Sequence, residues 1–522
     1  MTTLREKLDH TPRMLGFGTS GRRGEVVHLT QLEIYLNALG ELEYLQTLPL
    51  AEGGITKGDT FYFAHDLRPS STRYLDTTPP RGEIAQAIVA AIEAAGMKPV
   101  NLGDIPTPAL TYYALRQGKG SIMVTGSHIP FDRNGYKLNT SIGELLKEHE
   151  APVNQSVSKV RERLYAQAFE QSPFNECGLF KSGHRDLPAA IPDARRAYID
   201  RYLRFFEGRS LTGMRLLVYQ HSAVGRDLLV DLLRELQADV IPAGRREDFV
   251  AIDTENIQAP QIAAIQALVD QHGPVDAVIS ADGDSDRPLL LLVTGGKAKF
   301  YPGDLLGMVT AEYLQADAVV VPVSCNDAID RGPLAAVLEP KTRIGSPYVI
   351  AGIAAAAAKG RKRVCGWEPN GGFLLGSDLP DLARLATRDA VLPMLCSLFA
   401  RERFAQLPKR YCRAALLPHF PQTVGRAMVR HFSEPGAAAE LERLVGLGRI
   451  ERLDHTDGVR MVFASGEVIH FRPSGNADEL RVYAVADTES RAEELAARGV
   501  AEPDGILRTL AAAVAQAPEP AR

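Results

Sequence analysis

The order of strand-like and helix-like segments predicts an α/β protein: three consecutive α/β domains with mixed, mostly parallel sheets, then a smaller C-terminal α+β domain. Three observations carry this. A β-α-β-α-β order begins near residue 59 and recurs twice, the third time less completely, before about residue 411. Beyond that point paired strands precede helices. And 522 residues are too many for one hydrophobic core. The boundaries expected are 1–185, 186–297, 298–410 and 411–522.

In the first domain Thr60–Ala64 reads as a strand, and Gly82–Ala95 has apolar residues at helical spacing and stops at Gly96. Pro99–Leu102 is strand, Ala109–Arg116 helix, and Ser121–Thr125 a buried strand. The polar stretch from about Glu144 to Asp193 reads as an irregular link. The second domain repeats the order with Arg215–Tyr219, a helix over Leu228–Gln237, Ala238–Pro242, a helix over Gln261–His272, and Asp276–Ala281. The third, less complete, has a helix over Asp304–Leu314, the strand Ala318–Val323, a helix over Tyr348–Lys359 and the strand Lys362–Gly366. The last has strands at Val459–Phe463, Glu467–Arg472 and Leu480–Ala486, then helices from Glu489. Pro518–Arg522 reads as a frayed tail.

Hydrophobic residues make up 45% of the chain and charged ones 24%, ordinary for a globular protein. Basic and acidic residues (59 and 64) nearly balance at a net charge of −5, which argues against a nucleic-acid partner but leaves room for a small anion. The five cysteines are scattered without a CxxC pair, so neither zinc nor a disulfide framework is expected. The N-terminus carries no apolar leader, and no run of about 18 apolar residues occurs. The expectation is a cytoplasmic protein without a membrane partner.

Four loops hold the chemistry. Thr125–Lys137 (TGSHIPFDRNGYK) follows a buried strand, at the carboxyl end of a parallel sheet where open α/β folds bind ligands. Pro130 and Asn134-Gly135 mark it as turn-rich. Ser127, beside His128 and near Lys137, suits a nucleophile with cationic neighbours for a phosphoryl group, although ordinary loop polarity reads the same way. Asp282-Gly283-Asp284-Ser285-Asp286-Arg287 lies between two apolar strands, with three carboxylates at alternate positions of what reads as extended chain, so on one side. Brought together they raise one another's pKa, and a hard dication such as Mg²⁺, completed by a phosphate oxygen, relieves this. An EF-hand fails because Arg287 and Val293 stand where its glycine and bidentate glutamate belong; a solvated acidic turn is the plain alternative. Glu368 and Asn370 of Gly366–Gly372 (GWEPNGG) offer an acceptor and an amide to sugar hydroxyls, as would any glycine-rich turn of that composition. Arg472-Pro473-Ser474-Gly475-Asn476 offers a guanidinium fork, a hydroxyl and a backbone nest for a phosphate, with a simple type I turn equally compatible. Gly16–Gly21 fits GxGxxG without a preceding strand, so a dinucleotide is not expected.

In this order the loops resemble those of the α-D-phosphohexomutase family: FGTSGRRG (17–24) resembles its N-terminal signature, TGSHIPFDRNGYK its phosphoserine loop, DGDSDR its metal loop, WEPNGG its sugar loop and RPSGN its phosphate loop. The resemblance spans residues 16 to about 487 and implies a central cleft lined by one loop from each domain. Ser127 would carry the phosphoryl group, with Asp282, Asp284, Asp286 and a phosphoserine oxygen holding Mg²⁺. Arg23, His128, Lys137 and Arg287 would surround the moving phosphate. Glu368 and Asn370 would grip the sugar; Arg472, Ser474, Gly475 and Asn476 would hold its other phosphate. The implied reaction moves a phosphoryl group between O1 and O6 of a hexose phosphate through a hexose 1,6-bisphosphate, which also serves as primer, in a monomer or dimer. The loop wording is most similar to bacterial phosphomannomutases, with glucose and glucosamine phosphates as competing substrates. Departures are Ile129 for Asn, Asn370 for Ser, Gly372 where many bacterial members have His, and no His or Lys at Ser346 or Pro347. Lys137 is then the first expectation for the proton acceptor and Lys341 the second. A sugar-phosphate sensor and an aspartyl-phosphate hydrolase are the rivals. The first needs neither nucleophile nor metal, and the second leaves Ser127 without a role.

Overall fold

Four principal sheets follow one another along the computed structural model, which describes residues 2–18, 21–255, 257–474 and 478–516. The first runs Gly21–Glu25, Arg133–Asn139, Ser121–Val124, Thr60–His65, Lys98–Asn101. The second runs Lys297–Tyr301, Pro288–Thr294, Ala277–Ala281, Arg215–His221, Asp239–Arg245, and the third Ala318–Val320, Val364–Trp367, Phe373–Leu375, Leu385–Asp389. The fourth is wholly antiparallel: Tyr411–Pro418, Glu479–Ala486, Val468–Pro473, Val459–Phe463, Ile450–Asp454.

The first three sheets are mixed, as expected, but not mostly parallel. In the first, Thr60–His65 pairs parallel with both neighbours, while the two remaining pairings are antiparallel. The second repeats that pattern, and the third has one parallel pairing and two antiparallel ones. The cause lies in the loops. Each chain segment that leaves a buried strand through a candidate loop returns beside it: Val124 pairs with Tyr136, Ala281 with Pro288, Trp367 with Phe373, and Pro473 with Leu480. All four candidate loops are therefore tips of antiparallel strand pairs. The strands that flank each are joined by ladder hydrogen bonds.

Three long helices were not expected: Gln31–Leu45, Glu150–Tyr165 and Asp193–Phe205. Gln31–Leu45 packs on Glu150–Tyr165, which lies inside the stretch read as an irregular link. Polar residues dominate Glu150–Tyr165, yet Val153, Val157, Val160 and Leu164 recur at helical spacing and are buried. Gly40 makes the close approach possible, since a Cβ there would lie 2.6 Å from Val157 Cα. The fourth unit likewise holds the helices Gln422–Phe432 and Ala437–Val445 between its strands.

One continuous buried cluster, from Tyr62 to Leu407, runs through the first three units, whereas the fourth packs its own core from Leu417 to Leu510. At their junction Arg410 holds Asp327 through two bonds of 2.8 and 2.9 Å and Asp487 through one of 2.6 Å. Among the described residues no helix is long and apolar enough to cross a membrane.

Candidate active site

Ser127 sits just past the end of the buried strand Ser121–Val124, itself fully buried and with φ +55°. A left-handed serine costs about 1–2 kcal/mol, so the surroundings must hold it. Its N–H donates to Thr125 Oγ1 at 2.7 Å, and Thr125 Oγ1 donates to Asp66 Oδ2 at 2.8 Å. Arg68 does most of the rest. Its guanidinium is buried under the loop and donates to the carbonyls of Ser127, Ile129, Pro130 and Arg133 at 2.5–3.0 Å, while stacking on Phe249 at 3.8 Å. The reading of Asn134-Gly135 as a turn is corrected: both lie in the strand Arg133–Asn139. The glycine is there because the edge strand Gly21–Glu25 comes so close that a Cβ would meet Arg22 O at 1.9 Å, and the Asn134 amide donates to Ser70 and Ser71.

Arg68 and Asp66 were not anticipated, though Asp-Leu-Arg directly after the strand Thr60–His65 was a visible signal. Arg68→Lys keeps the charge but cannot reach four carbonyls. It is expected to lower kcat about 10²-fold by displacing Ser127, with faster proteolytic cleavage within 126–133 as the independent check.

The acidic loop converges differently from the extended-chain expectation. It is a tight turn wrapped around Asp282: Ser285 N–H donates to Asp282 O at 3.0 Å with Ser285 at φ +58°, and the N–H groups of Asp286 and Arg287 donate to Asp282 Oδ1 at 3.2 and 3.1 Å. Asp282 Oδ2 accepts the Ser127 hydroxyl at 2.8 Å. Asp284 Oδ2 accepts from Thr107 Oγ1, another unanticipated contact, and from Lys137 Nζ at 2.5 Å; Asp286 Oδ2 accepts from the same ammonium at 2.5 Å.

A divalent cation fits this donor set. Ligand oxygens of all three aspartates lie within 4.8 Å of one another, all three residues are buried, and Asp284 Oδ1 and Asp286 Oδ1 have no hydrogen-bond partner. Buried orphan carboxylate oxygens are costly unless something positive completes them. Burial and the charges of Asp284 and Asp286 push the Asp282 carboxyl up to about 8. Burial pushes its two neighbours up as well, but Lys137 outweighs that at Asp284, and Arg388 and Lys137 outweigh it at Asp286, so both end below the usual carboxylate range. The mutual-repulsion argument thus holds for one aspartate and is overridden at the others by fixed cations.

Those cations line the same place. Arg287 Nη1 donates to His128 Nδ1 at 2.9 Å, and Ser127 Oγ lies 3.4 Å from that nitrogen. The guanidinium, reinforced by burial and by Arg23, holds His128 neutral, so His128 is not the cation expected beside Ser127. Burial pushes the half-buried Arg23 down to about 10, aided by Arg287 and Arg388 and opposed by Asp284, which leaves it charged at neutral pH. Lys137 is engaged as a donor to two carboxylates, an arrangement that uses it as a cation. Lys341 pairs with Asp330 at 2.6 Å, away from this network.

The sugar-loop candidates Glu368 and Asn370 are buried at the tip joining Val364–Trp367 to Phe373–Leu375. Glu368 lies 3.7 Å from Arg388, which also donates to Asp286 at 3.0 Å, so the third tip joins the second through one arginine. Asn370 Oδ1 accepts the Gly372 N–H at 3.0 Å and its carbonyl accepts from Thr254 at 2.8 Å, leaving the side-chain amide nitrogen as its available polar group. On the fourth sheet Arg472 stands opposite Arg481 across two strands and lies 3.5 Å from Asp457. Ser474 follows at the tip with its N–H on Glu479 O at 2.9 Å. Gly475 and Asn476 lie outside the described residues.

Models of the phosphoglucomutase/phosphomannomutase family match the chain over 14–164 (alpha/beta/alpha domain I), 196–295 (alpha/beta/alpha domain II) and 431–502 (C-terminal domain). A phosphomannomutase of Sinorhizobium fredii is 37% identical over 497 residues, covering 93% of this chain and 98% of its own. One of Salmonella muenchen is 36% identical over 493 residues, covering 92% and 93%. Among solved structures, a phosphoglucomutase/phosphomannomutase family protein from Burkholderia thailandensis superimposes with a TM-score of 0.67 at 17% identity, over 97% of this chain and 99% of that one.

Proposed function

This chain belongs to the phosphoglucomutase/phosphomannomutase family, and on that premise we propose that it moves a phosphoryl group between O1 and O6 of a hexose phosphate, mannose phosphate foremost, through a phosphorylated Ser127. The observation that carries this is the Ser127 hydroxyl, buried and 2.8 Å from Asp282 in an acidic turn whose other two aspartates hold Lys137, with Arg287 on the neighbouring His128. A hydrolase using the first aspartate as nucleophile would leave that strained, supported serine idle. Asp282, Asp284 and Asp286 would hold Mg²⁺, which when bound supplies positive charge at the transferring oxygens.

The chain's own groups do the remaining work in this reading. Asp282 Oδ2 accepts the hydrogen bond of the Ser127 hydroxyl and orients it when the serine is free. Lys137, Arg23 and Arg287 face the charge of the moving phosphoryl group, where fixed cations act with little reorganisation. Neutral His128, its Nδ1 on Arg287, presents Nε2–H as a donor. Glu368 accepts sugar hydroxyls, and Arg472 with Ser474, Gly475 and Asn476 holds the phosphate that is not moving. Because the fourth unit has a separate core, it can shift while a hexose 1,6-bisphosphate turns end for end. The proposed location is the cytoplasm, where phosphorylated sugars are made and retained.

The test offers mannose, glucose and glucosamine 1-phosphates, each with a trace of hexose 1,6-bisphosphate, and follows products by ³¹P NMR. Conversion to 6-phosphates, fastest with mannose, is expected; release of inorganic phosphate alone, or binding without conversion, would overturn the reading. Asn370→Ser is expected to change the mannose-to-glucose ratio of kcat/KM by less than about tenfold, because the Asn370 side-chain oxygen Oδ1 is committed to the Gly372 turn and only one amide nitrogen is lost as a possible sugar contact.

A further inference from the structure

Arg388 is given no task by that reading, yet its buried guanidinium meets two carboxylates and a hydroxyl from three separate segments. It stands next to the end of the strand Leu385–Asp389 and is 3% exposed. Its Nε donates to Asp286 Oδ2 at 3.0 Å, Nη1 donates to Ser346 Oγ at 3.4 Å, and Nη1 lies 3.7 Å from Glu368 Oε2. Ser346 donates onward to Glu144 Oε2 at 3.2 Å, and Thr387, beside Arg388 in the chain, donates to Glu144 Oε1 at 2.7 Å. One guanidinium thus meets the acidic turn and the sugar loop directly, and the first unit through Ser346.

The surroundings are shaped to hold it. A Cβ on Gly372 would lie 2.6 Å from Arg388 Cδ and 2.8 Å from Cγ, so this glycine supplies space for the arginine stem. The neighbouring Asp389 is fixed by Tyr198 at 2.7 Å, by Arg201 at 3.3 Å and by Tyr202, all from the helix Asp193–Phe205, which leaves the strand little freedom to slide. Burying a guanidinium costs several kcal/mol, and here Asp286, Glu144 and Glu368 offset it, keeping the group charged.

We propose that Arg388 is a positioning residue of phosphoryl transfer: its planar fork fixes Asp286 and Glu368 relative to each other, so that the sugar is presented at a set distance from Ser127. The proposal rests on the reading of the cleft given above. A lysine could pair with the same groups, as Lys137 does with two aspartates, but its ammonium on a flexible stem lacks the planar fork that sets their relative positions. A misplacement of about 1 Å between reacting groups costs about 10²-fold in rate.

The test compares Arg388→Lys, Glu368→Gln and the double variant in kcat and KM. The same substitutions, made in a Ser127→Ala background, are titrated with mannose 6-phosphate by calorimetry. Arg388→Lys should lower kcat about 10²-fold with a melting temperature close to wild type, and weaken binding less than about tenfold. The double variant should lie within about threefold of the worse single, because both substitutions break one linked unit. Gly372→Ala, which changes no charge, should act in the same direction by pushing the arginine stem. Multiplicative effects in the double variant, or kcat of Arg388→Lys within threefold of wild type, would overturn the proposal. If the wild type converts no hexose phosphate, the mutase reading fails, while the calorimetric cycle still decides whether Arg388 and Glu368 act as one. A wild type that neither converts nor binds the sugar overturns both.

Discussion

Ser127→Ala is expected to cut turnover by at least about 10³-fold while leaving substrate affinity within about tenfold of wild type. The hydroxyl is the only atom removed, and it is the atom proposed to carry the phosphoryl group. The loop should keep its shape, because the four carbonyl bonds from Arg68 and the Thr125–Asp66 contact do not involve that oxygen. The local cost is the loss of the donor to Asp282 Oδ2, about 1–3 kcal/mol for a buried acceptor left unpaired, so the variant should fold. Intact-mass measurement of the protein as isolated should show a fraction with one added phosphate. Hexose 1,6-bisphosphate should raise that fraction in wild type and leave Ser127→Ala unchanged. Turnover within tenfold of wild type in the variant would mean that the phosphoryl group travels by another route.

Most strands and helices of the first three units were legible because their hydrophobic periods are clean: Thr60–His65, Ala277–Ala281 and Ala259–His272 fall within a few residues of where the pattern puts them. What the pattern hid was of two kinds. Glu150–Tyr165 is mostly polar, and its narrow valine stripe matters only because Gly40 admits the helix so closely. Asn134-Gly135 carries a turn signature, yet lies in a strand for a reason that belongs to a different segment of chain, the edge strand Gly21–Glu25. The site divides in the same way. Ser127, the aspartates and Glu368 could be picked out because their chemistry is local to one loop. Arg68, Thr107 and Arg388 could not, because each acts on a loop 59 or more residues away in sequence, and only the fold brings them together. The neutrality of His128 was hidden for that reason too, since it is imposed by Arg287.

Chelation should abolish activity, and Mg²⁺ should restore it. Asp284→Asn is expected to weaken binding of Mn²⁺, used as a spectroscopic stand-in, by about 10²-fold or more, since it removes one of three charges and, with the amide oxygen kept at the Oδ2 position, replaces the orphan oxygen by an NH2 that cannot be a ligand. The residue's other bonds limit the damage to the fold. Thr107 and Lys137 both donate to Oδ2, and an amide oxygen in that position can still accept from them. Binding should also depend on pH in a definite direction. With no cation bound, burial and its acidic neighbours raise Asp282 to about 8, so below that pH the carboxyl is protonated and must lose its proton to become a ligand. Apparent affinity should therefore rise by up to about tenfold per pH unit as pH approaches 8, then level off, with one proton released per ion bound. In Asp284→Asn a repelling neighbour is gone, Asp282 ionises at lower pH, and the plateau should begin earlier even though the affinity is lower. The two measurements separate the causes: a weaker site with an unshifted plateau would mean that Asp284 and Asp282 do not share the cation, and full activity of the variant in chelator would remove the metal from the mechanism.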